Sequence, residues 1–81
     1  MAERTLNLAK SSSILSGSYC DIQKTLTLIL VNRKGESARY NYYNVPENII
    51  ADFEKAESSG KFFIANIKNT YKYERVLYYN E

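Results

Sequence analysis

Tyrosine is the residue with which this chain could do the most chemistry. Eight of the 81 residues are tyrosine, at positions 19, 40, 42, 43, 71, 73, 78 and 79. A phenol ring offers a flat face on which a base can stack, worth roughly 1 to 3 kcal/mol per base, and a hydroxyl that can bond to phosphate. We predict that Tyr40 and Tyr42 are core rings with hydrated tips. For Tyr43, Tyr71 and Tyr73 a core role and an accessible ring fit the pattern equally well.

Basic side chains accompany these tyrosines. Lys61, Lys68, Lys72 and Arg75 are spaced seven, four and three residues apart, which would align them on one face if a helical twist continued past residue 69. Such a stripe can follow a phosphate backbone, although a solvated helix face has the same pattern. Arginine and tyrosine can also clamp a base by stacking while a neighbouring cation holds phosphate. The residues that we predict to bind a ligand are Arg39, Tyr43, Lys68, Tyr71 and Arg75.

Catalytic chemistry has little support in the residue types. The chain has no histidine, the commonest general base and metal ligand, and its one cysteine, Cys20, has no partner for a disulfide or a zinc cluster. Ser58 and Lys61 have the Ser-x-x-Lys spacing of some acyl enzymes, but a helix cap explains the serine better. We therefore expect no enzyme, no catalytic residue, no cofactor and no metal.

Composition bounds the class of protein. A chain of 81 residues has room for one domain, and 44% hydrophobic with 25% charged residues fits a folded domain with a compact core. The net charge of +2 gives a sequence pI of about 8.7, just short of the basic level usual in dedicated nucleic-acid domains. The longest apolar run, Leu28 to Val31, is far short of the ~20 residues of a membrane span, and the N-terminus lacks the apolar region of a signal peptide. We expect a soluble, cytoplasmic protein.

A β-hairpin should position the central tyrosines. Between Thr25 and Val31 leucines alternate with threonines, which predicts a strand with one buried face. Asn32-Arg33-Lys34-Gly35 predicts a type I turn, and residues 37–43 a returning strand. If Tyr40 and Tyr42 pack on the leucines, Arg39, Asn41 and Tyr43 point outward.

The remaining elements complete a small α+β fold. Residues 14–21 read as a short strand, 5–9 as a possible edge strand, and 71–79 as either a terminal edge strand or a loosely held tail. Pro46 should open a first helix, Ser58-Ser59-Gly60 should break it, and a second helix should run to about Asn69. We predict a small antiparallel sheet of three to four strands with two short helices packed on one face.

An ordered series of short motifs runs through most of the chain: Ser12-Ser13-Ile14, Tyr19, Asp21, Leu26, Leu28, Leu30, Tyr40-Asn41-Tyr42, Val45-Pro46, Ala56, Ser58, Gly60, Phe63, Ile67-Lys68 and Tyr71. In this order the chain resembles the KTSC domain family, named for its occurrence at the C-terminus of some lysyl-tRNA synthetases. The four residues between Gly35 and Tyr40 exceed the spacing expected in the family.

The resemblance implies a small α+β domain over residues 1–81, with residues 1–10 and 72–81 as extensions beyond the family core. Such domains are sometimes free-standing in bacteria and their phages, and RNA binding has been suggested for them without a settled mechanism. The resemblance supplies no catalytic residue.

Two functional hypotheses follow. The first is a non-enzymatic binding module that engages RNA or a nucleotide-bearing ligand through exposed Tyr and Arg or Lys side chains. The second is a protein-interaction factor, such as a phage-encoded inhibitor of a host or bacterial protein or a sequestering homo-oligomer, for which the paired rings Tyr78-Tyr79 or an edge strand would provide contacts. Neither hypothesis involves a membrane.

Overall fold

Five strands and two helices make up the part of the chain that the structure describes, which is residues 3–8, 13–32 and 34–77 of a computed structural model. The strands are β1 Glu3–Thr5, β2 Ile14–Cys20, β3 Thr25–Val31, β4 Ser37–Tyr42 and β5 Tyr73–Leu77, and the helices are α1 Glu47–Lys55 and α2 Ser59–Asn66. The strands pair in chain order as one antiparallel sheet. The predicted α+β class is confirmed, but the sheet has five strands instead of three to four.

The hairpin of β3 and β4 forms as the alternation of its residues predicts. Leu26 lies opposite Tyr42 and Leu28 opposite Tyr40, so these four side chains share one face of the sheet. Thr27 and Asn41 lie opposite each other on the other face, where the Thr27 hydroxyl donates to Asn41 Oδ1 at 3.0 Å. We call the first the helix face and the second the outer face.

The turn between β3 and β4 is stabilised by Asn32. Its side-chain oxygen accepts hydrogen bonds from the backbone N–H groups of Lys34 and Glu36, at 2.9 and 3.0 Å. Gly35 has a φ of +83°, a left-handed conformation that glycine adopts at little cost. The backbone conformation at the end of the predicted turn therefore favours glycine.

Both helices pack on the helix face. The fully or nearly buried side chains include Tyr19, Leu26, Leu28 and Tyr42 from the sheet and Ile50, Phe53, Phe63 and Ile67 from the helical region. The ring of Phe63 meets that of Tyr42 edge-on at 5.5 Å between centroids. The buried Tyr19 hydroxyl donates to the carbonyl of Val45 at 2.6 Å, which ties β2 to the junction before α1.

The helix boundaries differ from the prediction around residue 60. The backbone of Ala56 is already extended after α1, and Ser58 caps α2 by accepting from the Lys61 N–H at 3.3 Å. Gly60, which we expected to end the first helix, therefore lies in the first turn of α2. The second helix ends at Asn66 and is followed by turns at 67–70, so the predicted extension to Asn69 is wrong.

The two ends of the described chain form the two edge strands. β1 occupies residues 3–5, whereas the prediction was 5–9, and Ala9 lies outside the described residues. Glu54 of α1 anchors this end, because it pairs with Arg4 at 3.3 Å and accepts from the Asn7 N–H at 3.0 Å. The alternatives for residues 71–79 are resolved in favour of a strand over Tyr73–Leu77, while Tyr78 and Tyr79 lie outside the described residues.

The basic stripe predicted along a continued helix does not form. The chain turns after Asn66 and enters β5 at Tyr73, so Arg75 follows the two-residue period of a strand. Among the described residues, neither helix is long and apolar enough to cross a membrane.

Candidate ligand-binding groove

An open groove lies on the helix face near the turn between β3 and β4. The helices fill the other end of this face, around Leu26 and Tyr42, but towards the turn Leu30 and Tyr40 are only half-buried. The remaining space has a volume of about 800 Å³ and is bounded by the turn, the end of α2 and β5. The groove therefore forms where the two short helices no longer cover the five-stranded sheet.

Among the described residues, four aromatic rings line the groove: Tyr40, Tyr42, Phe63 and Tyr73. The ring centroid of Tyr73 lies 5.7 Å from that of Tyr40 and 5.3 Å from that of Tyr42, with interplanar angles of 42° and 31°. Tyr73 is 54% exposed, whereas Tyr42 is 2% exposed. Tyr42 therefore belongs to the core, and Tyr73 and the half-buried Tyr40 are the rings that a ligand can reach.

Tyr42 brings a hydroxyl as well as a ring to the groove lining. Burial, together with the neighbouring phenols of Tyr73 and Tyr40, raises the pKa of Tyr42 to about 12. The hydroxyl therefore stays protonated at neutral pH and adds no negative charge to the groove.

Cations come to the groove from three separate elements: Lys34 from the turn, Lys68 from the segment after α2, and Arg75 from β5. Glu36 is the single acid among the described lining residues, and it accepts from the Asn32 side-chain amide at 3.0 Å. The described lining residues therefore carry a net charge of about +2, which favours an anionic ligand.

Arg75 is held over an aromatic ring. It lies directly opposite Tyr40 in the pairing of β4 with β5, and its guanidinium carbon is 6.0 Å from the centroid of the Tyr40 ring. This distance is at the outer limit of a cation–π contact. The arrangement places a planar cation and a planar ring on one wall of the groove.

The structure divides the five residues predicted to bind a ligand between two faces of the sheet. Lys68 and Arg75 line the groove on the helix face. Tyr71 is half-buried and packs against the core. Arg39 and Tyr43 lie on the outer face, as their alternation with Tyr40 and Tyr42 predicts, so they do not share a site with Arg75.

The outer face is less suited to an anion than the groove. The Tyr43 hydroxyl donates to Glu74 Oε1 at 2.9 Å, and this hydrogen bond raises the pKa of Tyr43 above its usual value. Glu3 lies on the same face, where its carboxylate accepts from the Ser18 hydroxyl at 3.0 Å. Two carboxylates therefore accompany Arg39 there.

Lys34, Tyr40 and Tyr73 line the groove but were not among the predicted site residues. The signal for Tyr73 is present in the sequence, because residues 73 and 75 share a face if the segment is a strand. The Tyr40–Arg75 contact depends on strand register across 35 residues of sequence, which alternation alone does not reveal.

No group of three or more His, Cys, Asp or Glu side chains in the described parts of the chain is placed to hold a metal ion.

Fold and groove together define a small α+β domain with an antiparallel sheet, two helices on one face and an aromatic, cation-rimmed groove. The chain belongs to the KTSC domain family, whose model matches residues 10–71. Its structure is similar to the crystal structure of a KTSC domain protein from Yersinia pestis, with a TM-score of 0.76 and 29% sequence identity, over 93% of this chain and 99% of that chain. No curated protein matches the chain.

Proposed function

We propose that this KTSC domain is a non-enzymatic binding module whose groove takes a nucleotide-bearing ligand. The observation that carries the proposal is the convergence of the accessible rings of Tyr40 and Tyr73 with the cations Lys34, Lys68 and Arg75 around one open volume. A base supplies an aromatic face for the rings, and its phosphate supplies the anion for the rim.

The energies expected for base stacking and for phosphate binding support both the base and the phosphate of this ligand. Stacking of a base on an exposed ring contributes roughly 1 to 3 kcal/mol, and a hydrogen bond to a charged group about 1.5 to 3 kcal/mol. The cations are exposed, so they lose little solvation before the ligand arrives, and their contribution falls with added salt. A nucleotide uses both surfaces at once, whereas an aliphatic anion or an uncharged aromatic compound uses one.

The same reasoning favours the groove over the outer face. Two carboxylates, Glu3 and Glu74, accompany Arg39 on that face, and the Tyr43 hydroxyl is already bonded to one of them. We therefore place the nucleotide against Tyr73 and Arg75, and Arg39 and Tyr43 outside the binding residues.

Two charge-matched double variants test the proposal. Lys68→Ala/Arg75→Ala removes two groove cations, and Lys61→Ala/Arg39→Ala removes two cations that do not line the groove. The probe is a fluorescently labelled mixed-sequence RNA, measured by fluorescence anisotropy at about 50 and about 200 mM salt. We expect the groove variant to lose at least about tenfold in affinity and the matched variant less than about threefold, with wild-type binding weakening steeply in salt.

Three results would contradict the proposal. Equal losses in the two double variants would show non-specific attraction, and a larger loss in the variant that contains Arg39→Ala would move the site to the outer face. Absence of binding at low salt to both the RNA and millimolar adenosine 5′-monophosphate would remove nucleotide recognition altogether and favour a protein partner.

A further inference from the structure

We infer that the groove recognises a single-stranded oligonucleotide, with one base held between the Tyr40 ring and the Arg75 guanidinium and a neighbouring base stacked on Tyr73. This inference rests on the proposed function and narrows it to one ligand class.

The spacing of Tyr40 and Arg75 is close to that of a base clamp. The guanidinium carbon lies over the ring at 6.0 Å from its centroid, whereas close face-to-face stacking would bring it to about 3.5 Å. A planar base between them needs two van der Waals spacings of about 3.5 Å each, or about 7 Å in all. Arg75 is exposed, so its side chain can withdraw by about 1 Å without disturbing the core. Base insertion then exchanges one long cation–π contact for two close stacking contacts.

The second ring position distinguishes a single strand from a duplex. Tyr73 lies next to Tyr40, with 5.7 Å between centroids, but its ring plane is tilted by 42°. Successive bases of a duplex are parallel and have their faces covered by their neighbours, so they cannot occupy two tilted platforms. The bases of a flexible single strand can each follow a separate ring.

The arrangement of cations distinguishes an oligonucleotide from a mononucleotide. Lys34, Lys68 and Arg75 project from three separate elements around a groove of about 800 Å³. This volume is near the upper end of the ~300 to 1,000 Å³ typical of small-ligand pockets, so it has room for more than one nucleotide, and a chain with several phosphates offers one to each of these cations. All three cations are exposed, so the groove is open at its rim and a longer chain can enter and leave it.

A length series of labelled RNAs tests the inference. The probes are a labelled mononucleotide and single-stranded RNAs of two, four and eight residues, together with a duplex of the longest. We expect the affinity to rise at least about tenfold from one to two nucleotides, because a second base and a second phosphate are engaged, and to rise much less beyond four. The duplex should bind at least about tenfold more weakly than its single strand.

Conservative variants separate stacking from charge. Arg75→Lys keeps the cation but loses the planar guanidinium, and Tyr73→Ala removes the second platform, whereas Tyr73→Phe keeps it. We expect about a tenfold loss for Arg75→Lys on every probe, and for Tyr73→Ala a loss on the dinucleotide that is absent for the mononucleotide and for Tyr73→Phe. Because Tyr73 and Arg75 are exposed on an edge strand, thermal melting should show all three variants folded.

The outcomes are distinguishable from failure of the proposed function. Equal affinity for the mononucleotide and the longer RNAs, equal binding of duplex and single strand, or full affinity in Arg75→Lys would each overturn the inference while leaving nucleotide binding in place. No binding of any probe at low salt would overturn both.

Discussion

At the scale of single residues, the tyrosine hydroxyls serve different purposes on the two sides of the sheet. The Tyr19 hydroxyl is buried and donates to the Val45 carbonyl at 2.6 Å, whereas the Tyr43 hydroxyl bonds to Glu74 on the outer face. We expect Tyr19→Phe to lower the free energy of unfolding by about 1 to 3 kcal/mol, because it leaves a buried carbonyl without its donor. Urea denaturation measures this loss. Tyr43→Phe is the matched control and should change stability little, and equal effects of the two substitutions would contradict the assignment.

Ionisation of Tyr42 makes the free energy of unfolding depend on pH in the alkaline range. Burial raises its pKa to about 12 in the folded chain, against an ordinary value of 10.0. Below about pH 10 both folded and unfolded chains keep this proton; above it the unfolded chain releases the proton first, so the free energy of unfolding falls until about pH 12. The total loss from this one group is roughly 2 to 3 kcal/mol.

The variant Tyr42→Phe isolates that contribution. Urea denaturation at about pH 9 and about pH 11 should show a smaller fall in stability for the variant than for the wild type. The ultraviolet absorbance of tyrosinate should show one late-titrating phenol fewer. An unchanged slope between the two pH values would exclude Tyr42 as its source.

At the scale of elements, Gly17 determines how closely the N-terminal segment packs on the centre of β2. A methyl group at this position would lie 2.9 Å from Leu28 Cδ2 and 3.1 Å from Leu8 Cδ1, with Leu6 Cδ1 at 3.7 Å. Leu28 and Leu6 are buried, so they have little room to move. We expect Gly17→Ala to destabilise the fold by about 1 to 3 kcal/mol through overpacking.

Urea denaturation of the Gly17→Ala variant, compared with that of a Ser16→Ala variant, tests this expected loss of stability. Ser16 is the exposed neighbour on the same strand, and its substitution should change the free energy of unfolding by less than about 0.5 kcal/mol. If Gly17→Ala were as mild as its neighbour, the leucines around Gly17 would have to be loosely packed.

An element can be predicted from the sequence when its own residues determine it, and it is harder to predict when its pairing with another strand determines it. β3 and its turn are read correctly because alternating leucines and an Asn-to-Gly turn are local signals. The edge strands are harder: β1 has three exposed residues and is defined by its pairing with β2, and residues 71–75, which run into β5, mix tyrosine with charges, as a tail also could. The helix boundary is misread because glycine ends helices and also fits a first turn, and the Ser58 cap decides between the two.

The candidate site is likewise only partly predictable from local sequence patterns. Extrapolating a helical period past Asn69 groups Arg75 with Lys61, but the chain enters a strand, and register then places Arg75 opposite Tyr40. Outward orientation of Arg39 is predictable from alternation, because it is a property of one strand. To predict that Arg39 and Arg75 lie on opposite faces, one also needs the order of strands in the whole sheet.

At the scale of the whole molecule, the groove couples ligand binding to global stability. Its walls belong to the turn, the end of α2 and β5, which come together only in the folded chain. A ligand that binds there binds the native state and not the unfolded one, so at a free concentration of ten times Kd it should add about 1.4 kcal/mol to the free energy of unfolding. For a domain of this size, that is a rise of roughly 5 to 10 °C in Tm.

A thermal melt of the wild type with a single-stranded RNA of four residues measures this rise. At the same RNA concentration Arg75→Ala should lose most of it, because the planar cation over Tyr40 is gone, while Arg39→Ala, which removes an equal charge from the outer face, should keep it. Since both arginines flank Tyr40 in β4 and β5 but on opposite sides of one sheet, any difference between the variants reports the face and not the charge. Equal shifts in the two variants would mean that the RNA stabilises the chain without occupying the groove.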